Sequence, residues 1–298
     1  MTQATTELTS VMRRQFLEQM LVARAVDEEA ILLRKQGLID LWAPCTGQEA
    51  LQVGAAYALD GLVIVPSYRE AAVALVRGAT PEQVVAGWSG RSFCGWQPRP
   101  LRMFPFTLVL ASQMLPAVGY ALGTRIQGRE EPVAVFFGDG ASSEGDAAEA
   151  FNLAAVERAS VLFLNVNNGW AISKPTSEQM RTSIAERAAG FGIASRQVDG
   201  RDPEIVYEAV TAELRLLATE PGPRLIEFSV DRILSHTSSD TQEIYRDEAD
   251  IAAAVSRDPV VAYRRRLLED GTVDPDWLAD MERRTSDLRA DLLKEYTR

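Results

Sequence analysis

The chain has 298 residues, 46% hydrophobic and 24% charged, the balance of a globular protein with enough apolar side chains for one large core. That excludes disorder as the default state, and the length fits one large α/β domain or two small ones. The net charge of −11 disfavours nucleic-acid binding, because the overall field repels polyanions. The longest apolar runs, 62–65, 133–137 and 161–164, fall far short of the ~20 residues a membrane-crossing helix needs. The first ten residues lack a basic start followed by an apolar stretch, so neither a secretory signal nor membrane association is expected, and a cytoplasmic location is. Cys45 and Cys94 read as two reduced thiols rather than a disulfide framework or zinc site.

In chain order, apolar residues at helical spacing predict a long amphipathic helix over 10–36, stopped by Gly37. An Ala-rich helix over 47–59 precedes a buried strand at 62–65. Helices follow at 69–77 and 81–88, then an irregular segment over 89–107 whose length marks a functional loop. A helix over 113–128, a strand at 133–137, a helix over 144–159 and a strand at 161–166 continue the alternation. Beyond a loop to Pro175 come a short strand at 196–198, a helix over 203–218 and a strand at 224–230. The polar segment 235–246 precedes two charged helices, 258–270 and 275–296. This alternation predicts an α/β fold with a doubly wound, mostly parallel sheet covered by helices on both faces. The expected division is an N-terminal helical region (1–60), an α/β domain (61–256) and a C-terminal helical extension (257–298).

Parallel sheets bind ligands at the carboxyl ends of their strands. After the strand ending in Phe137 comes Gly138-Asp139-Gly140-Ala141-Ser142-Ser143-Glu144-Gly145. Its glycines allow close approach of backbone to phosphate, and Asp139 offers a hard carboxylate oxygen to Mg²⁺. The next strand ends in Asn167-Asn168-Gly169-Trp170. One helix and one strand separate the two loops, so Asp139 and Asn168 can meet at adjacent strand ends and, with a backbone carbonyl, form a Mg²⁺ site open to phosphate oxygens. An Asp-Gly turn is the ordinary alternative for the first loop alone. Neither a Gly-x-x-x-x-Gly-Lys-Ser/Thr loop nor a Gly-x-Gly-x-x-Gly after a strand is present, which disfavours nucleoside triphosphates and nicotinamide cofactors.

The Gly-Asp-Gly to Asn-Asn spacing resembles the thiamine-diphosphate motif, and its surroundings resemble the alpha subunits of 2-oxo acid dehydrogenases, the branched-chain type above all. The resemblance runs over about 15–270. It includes Gly47-Gln48-Glu49-Ala50, Tyr68-Arg69-Glu70-Ala71, Ser112-Gln113, Ala141-Ser142-Ser143-Glu144-Gly145-Asp146, Asn167-Asn168-Gly169-Trp170-Ala171-Ile172-Ser173-Lys174-Pro175-Thr176-Ser177-Glu178-Gln179, and His236 to Arg246. It implies the thiamine-diphosphate-binding fold, with thiamine diphosphate and Mg²⁺ as cofactors. Asp139, Asn168 and the main-chain carbonyl of Trp170 would hold the metal. Gly138, Gly140, Ala141, Tyr68 and Arg69 would form the diphosphate site, with Leu110 by the aminopyrimidine. His236, the only histidine, would serve the diphosphate and the reacting intermediate from a polar, exposed loop, donating to phosphate or moving a proton near neutral pH.

The resemblance further implies oxidative decarboxylation of a small 2-oxo acid, branched-chain or pyruvate-like, with acyl transfer to a lipoyl-bearing acyltransferase. The partner would be a beta subunit in an α₂β₂ assembly. Val166 stands where relatives often carry a polar or charged residue, Leu108 replaces a small polar one, Ser67 a glutamine, and the family's usual histidine is missing from 91–111. Thr237 occupies the place of a regulatory phosphoserine. Two alternatives stay open: a subunit of a non-oxidative decarboxylase or carbon–carbon ligase using the same cofactor, and a non-catalytic binding subunit of the same fold.

Overall fold

Thr9 accepts the Met12 N–H and starts α1 (Ser10–Lys35), and Gly37 at φ 74° turns the chain after it. The computed structural model describes residues 8–90 and 92–297; the reading of residues 1–7 as carrying no signal lies outside them. α2 (Glu49–Ala58) begins two residues later than expected, because Gly47 sits at φ 95° with its N–H on the Glu49 carboxylate. β1 (Val63–Val65), α3 (Ala71–Val76) and α4 (Pro81–Ala86) follow, the last opened by a Thr80–Gln83 capping box.

The segment expected to be irregular contains one short helix, α5 (Pro98–Leu101), and otherwise packs through aromatic rings. Phe106 stacks on Trp88 with centroids 5.1 Å apart and meets Trp96 at 5.9 Å. Residues 102–104 lie along β1: Ile64 N–H donates to Arg102 O, and Phe104 N–H to Ile64 O. This delivers 107–111 to the strand ends.

Then come α6 (Met114–Ile126), β2 (Val133–Gly138), a 3₁₀ turn (Gly140–Ser143), α7 (Gly145–Val156) and β3 (Val161–Asn167). The loop beyond β3 folds as a small hairpin, β4 (Trp170–Ala171) with β5 (Lys174–Pro175), followed by α8 (Thr176–Gln179). α9 (Ile184–Gly190) was not expected; it is too short to show a period, although Ser183 and Glu186 form its capping box. β6 (Ala194–Asp199), α10 (Pro203–Thr219) and β7 (Arg224–Ser229) complete the alternation. α11 (Glu248–Ser256) was also unexpected, a short Ala-rich helix capped by Asp247. α12 (Pro259–Glu269) and α13 (Pro275–Thr297) close the chain as anticipated.

The sheet order is β1-β2-β3-β7-β6 and every pairing is parallel. Alternate residues face opposite cores. Ile64, Phe136, Leu164 and Phe228 join a core with α1, α2, α10 and the C-terminal helices. Val135, Phe137, Phe163 and Leu225 face α6, α7 and α9. Arg24 ties the helical layer together, bonding Glu49 of α2 and Asp258 at the start of α12. No helix among the described residues is long and apolar enough to cross a membrane.

The α2–α10 contact depends on a missing side chain: a Cβ at Gly54 would stand 2.4 Å from the Pro203 carbonyl oxygen. Gly54→Val should therefore destabilise the fold by about 1–3 kcal/mol, outweighing the few tenths it gains in helix propensity. Urea denaturation with an unchanged midpoint would contradict this close approach.

Candidate active site

A cavity of about 690 Å³ opens where the carboxyl ends of β1, β2, β3 and β7 converge. All the site residues singled out in the sequence line it. Tyr68 and Arg69 follow β1; Gly138 ends β2, with Asp139, Gly140 and Ala141 after it; Asn168 and Trp170 follow β3. Leu110 enters from the segment before α6, and His236 from the one after β7. The parallel register pairs Gly138 with Val166, so the Asp139 and Asn168 loops leave the sheet side by side.

Asp139 is 2% exposed, and its Oδ2 accepts from Thr176 Oγ1 at 2.9 Å and Gln179 Nε2 at 3.3 Å. Burial pushes its carboxyl above the usual range, and no cation among the described residues opposes that. Both side-chain donors sit on Oδ2, leaving Oδ1 for another ligand. Asn168 Oδ1 accepts the Trp170 N–H at 3.1 Å, a side-chain turn that fixes the peptide run toward Trp170. No three His, Cys, Asp or Glu side chains gather as a metal site among the described residues, so a cation here would take a mixed set of carboxylate, amide and carbonyl oxygens. A Cβ at Gly138 would meet nothing within 4 Å, whereas one at Gly140 would stand 2.8 Å from Ala171 Cβ. Gly140 is thus required by the β4 hairpin as well as by any ligand.

His236 departs from the expectation of an exposed side chain that titrates near neutrality. It is half-buried, and burial together with the Arg69 and Arg232 charges lowers its pKa to about 3. Arg69 Nη2 lies 3.0 Å from His236 Nδ1 and also donates to its carbonyl at 3.0 Å. A guanidinium only donates, so Nδ1 accepts and the proton is on Nε2, which faces Tyr68 Oη at 3.4 Å. Arg69 Nη1 is committed to Pro44 O at 2.7 Å.

The His236 segment is anchored on both sides. Ser238 and Trp42 exchange hydrogen bonds, Ser238 N–H to Trp42 O and Trp42 N–H to Ser238 Oγ. Asp240 accepts the His236 N–H and the Tyr245 hydroxyl, and Tyr245 accepts from Arg232, whose other terminal nitrogen holds Ile172 O. Arg246 lies over the Trp170 ring at 5.5 Å. The loops after β3 and β7 are therefore bonded to each other.

The cavity also takes in residues to which the sequence assigned no individual role, among them Glu70, Trp88, Gln48, Gln113, Thr176 and Gln179. Glu70 accepts the Ser67 N–H at 2.6 Å, and burial pushes its carboxyl up to about 6. All of these residues but Trp88 lay within the motifs that carry the family resemblance, and that was their legible signal.

The sequence model described as "Dehydrogenase E1 component" matches residues 17–295. The chain belongs to the dehydrogenase E1 component family. It is 38% identical over 260 residues to the 3-methyl-2-oxobutanoate dehydrogenase subunit alpha of Mycobacterium tuberculosis (strain CDC 1551 / Oshkosh), covering 87% of this chain and 71% of that one. Similarity to the 2-oxoisovalerate dehydrogenase subunit alpha of Bacillus subtilis (strain 168) is 36% over 265 residues, or 85% and 80% of the two chains. The pyruvate dehydrogenase E1 component subunit alpha of Staphylococcus aureus (strain Mu50 / ATCC 700699) shares 33% over 290 residues, 95% and 78%. The chain is thus a 2-oxo acid dehydrogenase alpha subunit, most similar to the branched-chain type among these three.

Within this family setting, Leu108, Val109 and Leu110 form an apolar, largely exposed lip on the cavity, and Val166 adds a buried apolar wall. Because His236 is held neutral, NMR of the imidazole should show no protonation as pH falls from 7 to 5. A midpoint near the ordinary 6.5 would refute the packing against Arg69. The sign for stability follows: the unfolded imidazole takes a proton below about 6.5 while the folded one does not until about 3, so this group's contribution is intact above pH 6.5 and falls as the pH drops toward 3.

Proposed function

We propose that the chain holds the diphosphate and metal end of thiamine diphosphate and Mg²⁺, completing an active site with a beta subunit in an α₂β₂ assembly. The reaction is oxidative decarboxylation of a branched-chain or pyruvate-like 2-oxo acid, with the acyl group passed to a lipoyl-bearing acyltransferase. Family membership supports the reaction class. The observation that carries the cofactor reading is Asp139, a buried carboxylate with no cation against it among the described residues, beside Asn168 where two adjacent strands end.

The residues present fit the group. Asp139, Asn168 and the Trp170 carbonyl offer hard oxygens to Mg²⁺, which in turn neutralises a diphosphate that the nearby Glu144 and Asp146 would otherwise repel. Thiamine diphosphate supplies, when bound, the nucleophilic carbon and the electron sink that decarboxylation requires. Tyr68 and Arg69 orient His236, whose Nε2–H is available as a donor. Its low basicity rests on burial and then on the Arg69 and Arg232 charges, only partly offset by Asp240, so a diphosphate beside the two arginines raises it. Leu108, Val109, Leu110 and Ile172 form an apolar rim that limits water at the mouth.

Native mass spectrometry of the assembled complex tests this reading. A second subunit, thiamine diphosphate and Mg²⁺ are expected; a cofactor-free homo-oligomer would overturn it. Product analysis should find acyl transfer that depends on a lipoyl carrier, whereas an acyloin or free aldehyde without one would make the protein a ligase or non-oxidative decarboxylase. Asp139→Asn keeps an acceptor for Thr176 and Gln179 and removes the buried charge. It should leave the metal-free Tm unchanged or higher while abolishing the Mg²⁺-dependent stabilisation by thiamine diphosphate, about 2.7 kcal/mol at a hundredfold excess over Kd.

A further inference from the structure

Gln48 caps the N-terminal end of α2, is 0% exposed, and lines the cavity. Its backbone is fully engaged: the N–H donates to Cys45 O at 2.8 Å and the carbonyl accepts from Gln52 N–H at 3.1 Å. The side chain is not. Neither Nε2 nor Oε1 has a partner. Burying a primary amide with both ends unmade costs free energy that an apolar side chain of the same size would not.

One turn further along α2, Gln52 shows what a structural glutamine does in this layer. Its Nε2 donates to Arg69 O at 3.0 Å and its Oε1 accepts from Ala72 N–H at 3.1 Å, clamping the segment after β1. Gln48 clamps nothing. The neighbouring donors on this wall are committed: Arg69 Nη1 to Pro44, Arg69 Nη2 to His236, and the Ser67 N–H to Glu70. Gln113, the other buried cavity amide with an unpaired atom, lacks a partner only on Oε1, and its Nε2 is spent on Phe136 O. Gln48 Nε2 is therefore a donor held in reserve on a cavity that the Arg69 cation also lines, a setting that favours an anion.

We propose that Gln48 is an anion-binding residue of this site, its Nε2–H donating to an anionic oxygen of the bound ligand while Oε1 takes an ordered water. The inference rests on the function proposed above. That function offers two sources of the oxygen, the cofactor diphosphate and the carboxylate of the 2-oxo acid.

The test uses the complex of this chain with its beta subunit, carrying Gln48→Met or Gln48→Glu. Calorimetry with thiamine diphosphate and Mg²⁺ gives Kd, turnover of 3-methyl-2-oxobutanoate and of pyruvate gives KM and kcat, and thermal unfolding of the cofactor-free complex gives Tm. Gln48→Met should raise Tm, since it removes an unsatisfied amide, and weaken ligand binding about tenfold or more. A rise in Kd identifies the diphosphate; an unchanged Kd with a raised KM identifies the carboxylate. Gln48→Glu, nearly isosteric but without the donor, should lose more than the methionine variant, and it carries the test if the latter fails to assemble. Constants within twofold of the unsubstituted complex overturn the assignment, as does a fall in Tm with binding unchanged, which would mark a structural amide. If the unsubstituted complex binds no thiamine diphosphate, the proposed function falls and Gln48 with it; binding indifferent to Gln48 overturns this inference alone.

Discussion

Parallel strands need a crossover between neighbours, so all five carboxyl ends of this sheet emerge on one edge. With helices over both faces, the central strands β2 and β3 are mostly apolar, as in Val133 to Phe137 and Val161 to Leu164. The polar residues that line the cavity therefore gather past the carboxyl ends of the strands. Asp139, Asn168, Tyr68 and His236 all sit in such places, and the rigid register between β2 and β3 brings loops about thirty residues apart in sequence into one cavity.

The cavity stores electrostatic imbalance. Asp139 is buried with no cation against it among the described residues, His236 is kept neutral by burial and two arginines, and Gln48 keeps both amide atoms unbonded. Each feature costs stability in the isolated chain and is relieved by a ligand that brings cation and anion together. The network from Arg232 through Tyr245 and Asp240 to His236 then makes the loop after β7 sense the hairpin after β3, because Arg232 bonds Ile172 and Arg246 covers Trp170.

Most of the fold was legible because its elements are long and periodic or short and wholly apolar. Boundaries slipped where local chemistry overrode pattern, as at Gly47, whose positive φ delays α2. α9 and α11 escaped because seven and nine residues, rich in alanine, show no clear apolar stripe. The site residues were legible through loop motifs at strand ends. The state of His236 was not: its neutrality comes from burial, from Arg69, 167 positions away, and from the Arg232 charge, an environment that only the tertiary fold assembles. The role of Gln48 was illegible for a related reason: it stands in the Gly47–Ala50 motif, but a glutamine at a helical start looks ordinary until its burial and missing partners are seen.

The segment between α4 and α6 has a second consequence at the margin of the sheet. β1 is the terminal strand, only three residues long, and Met103 occupies its outer side through the bonds that Ile64 makes to Arg102 and Phe104. Free strand edges are templates for pairing with other chains, the first step toward aggregation. The same peptide that carries Leu108 to Leu110 to the mouth of the cavity thus seals this edge. Shortening it would both unseat the mouth and expose the Val63–Val65 backbone, coupling solubility to the geometry of ligand entry.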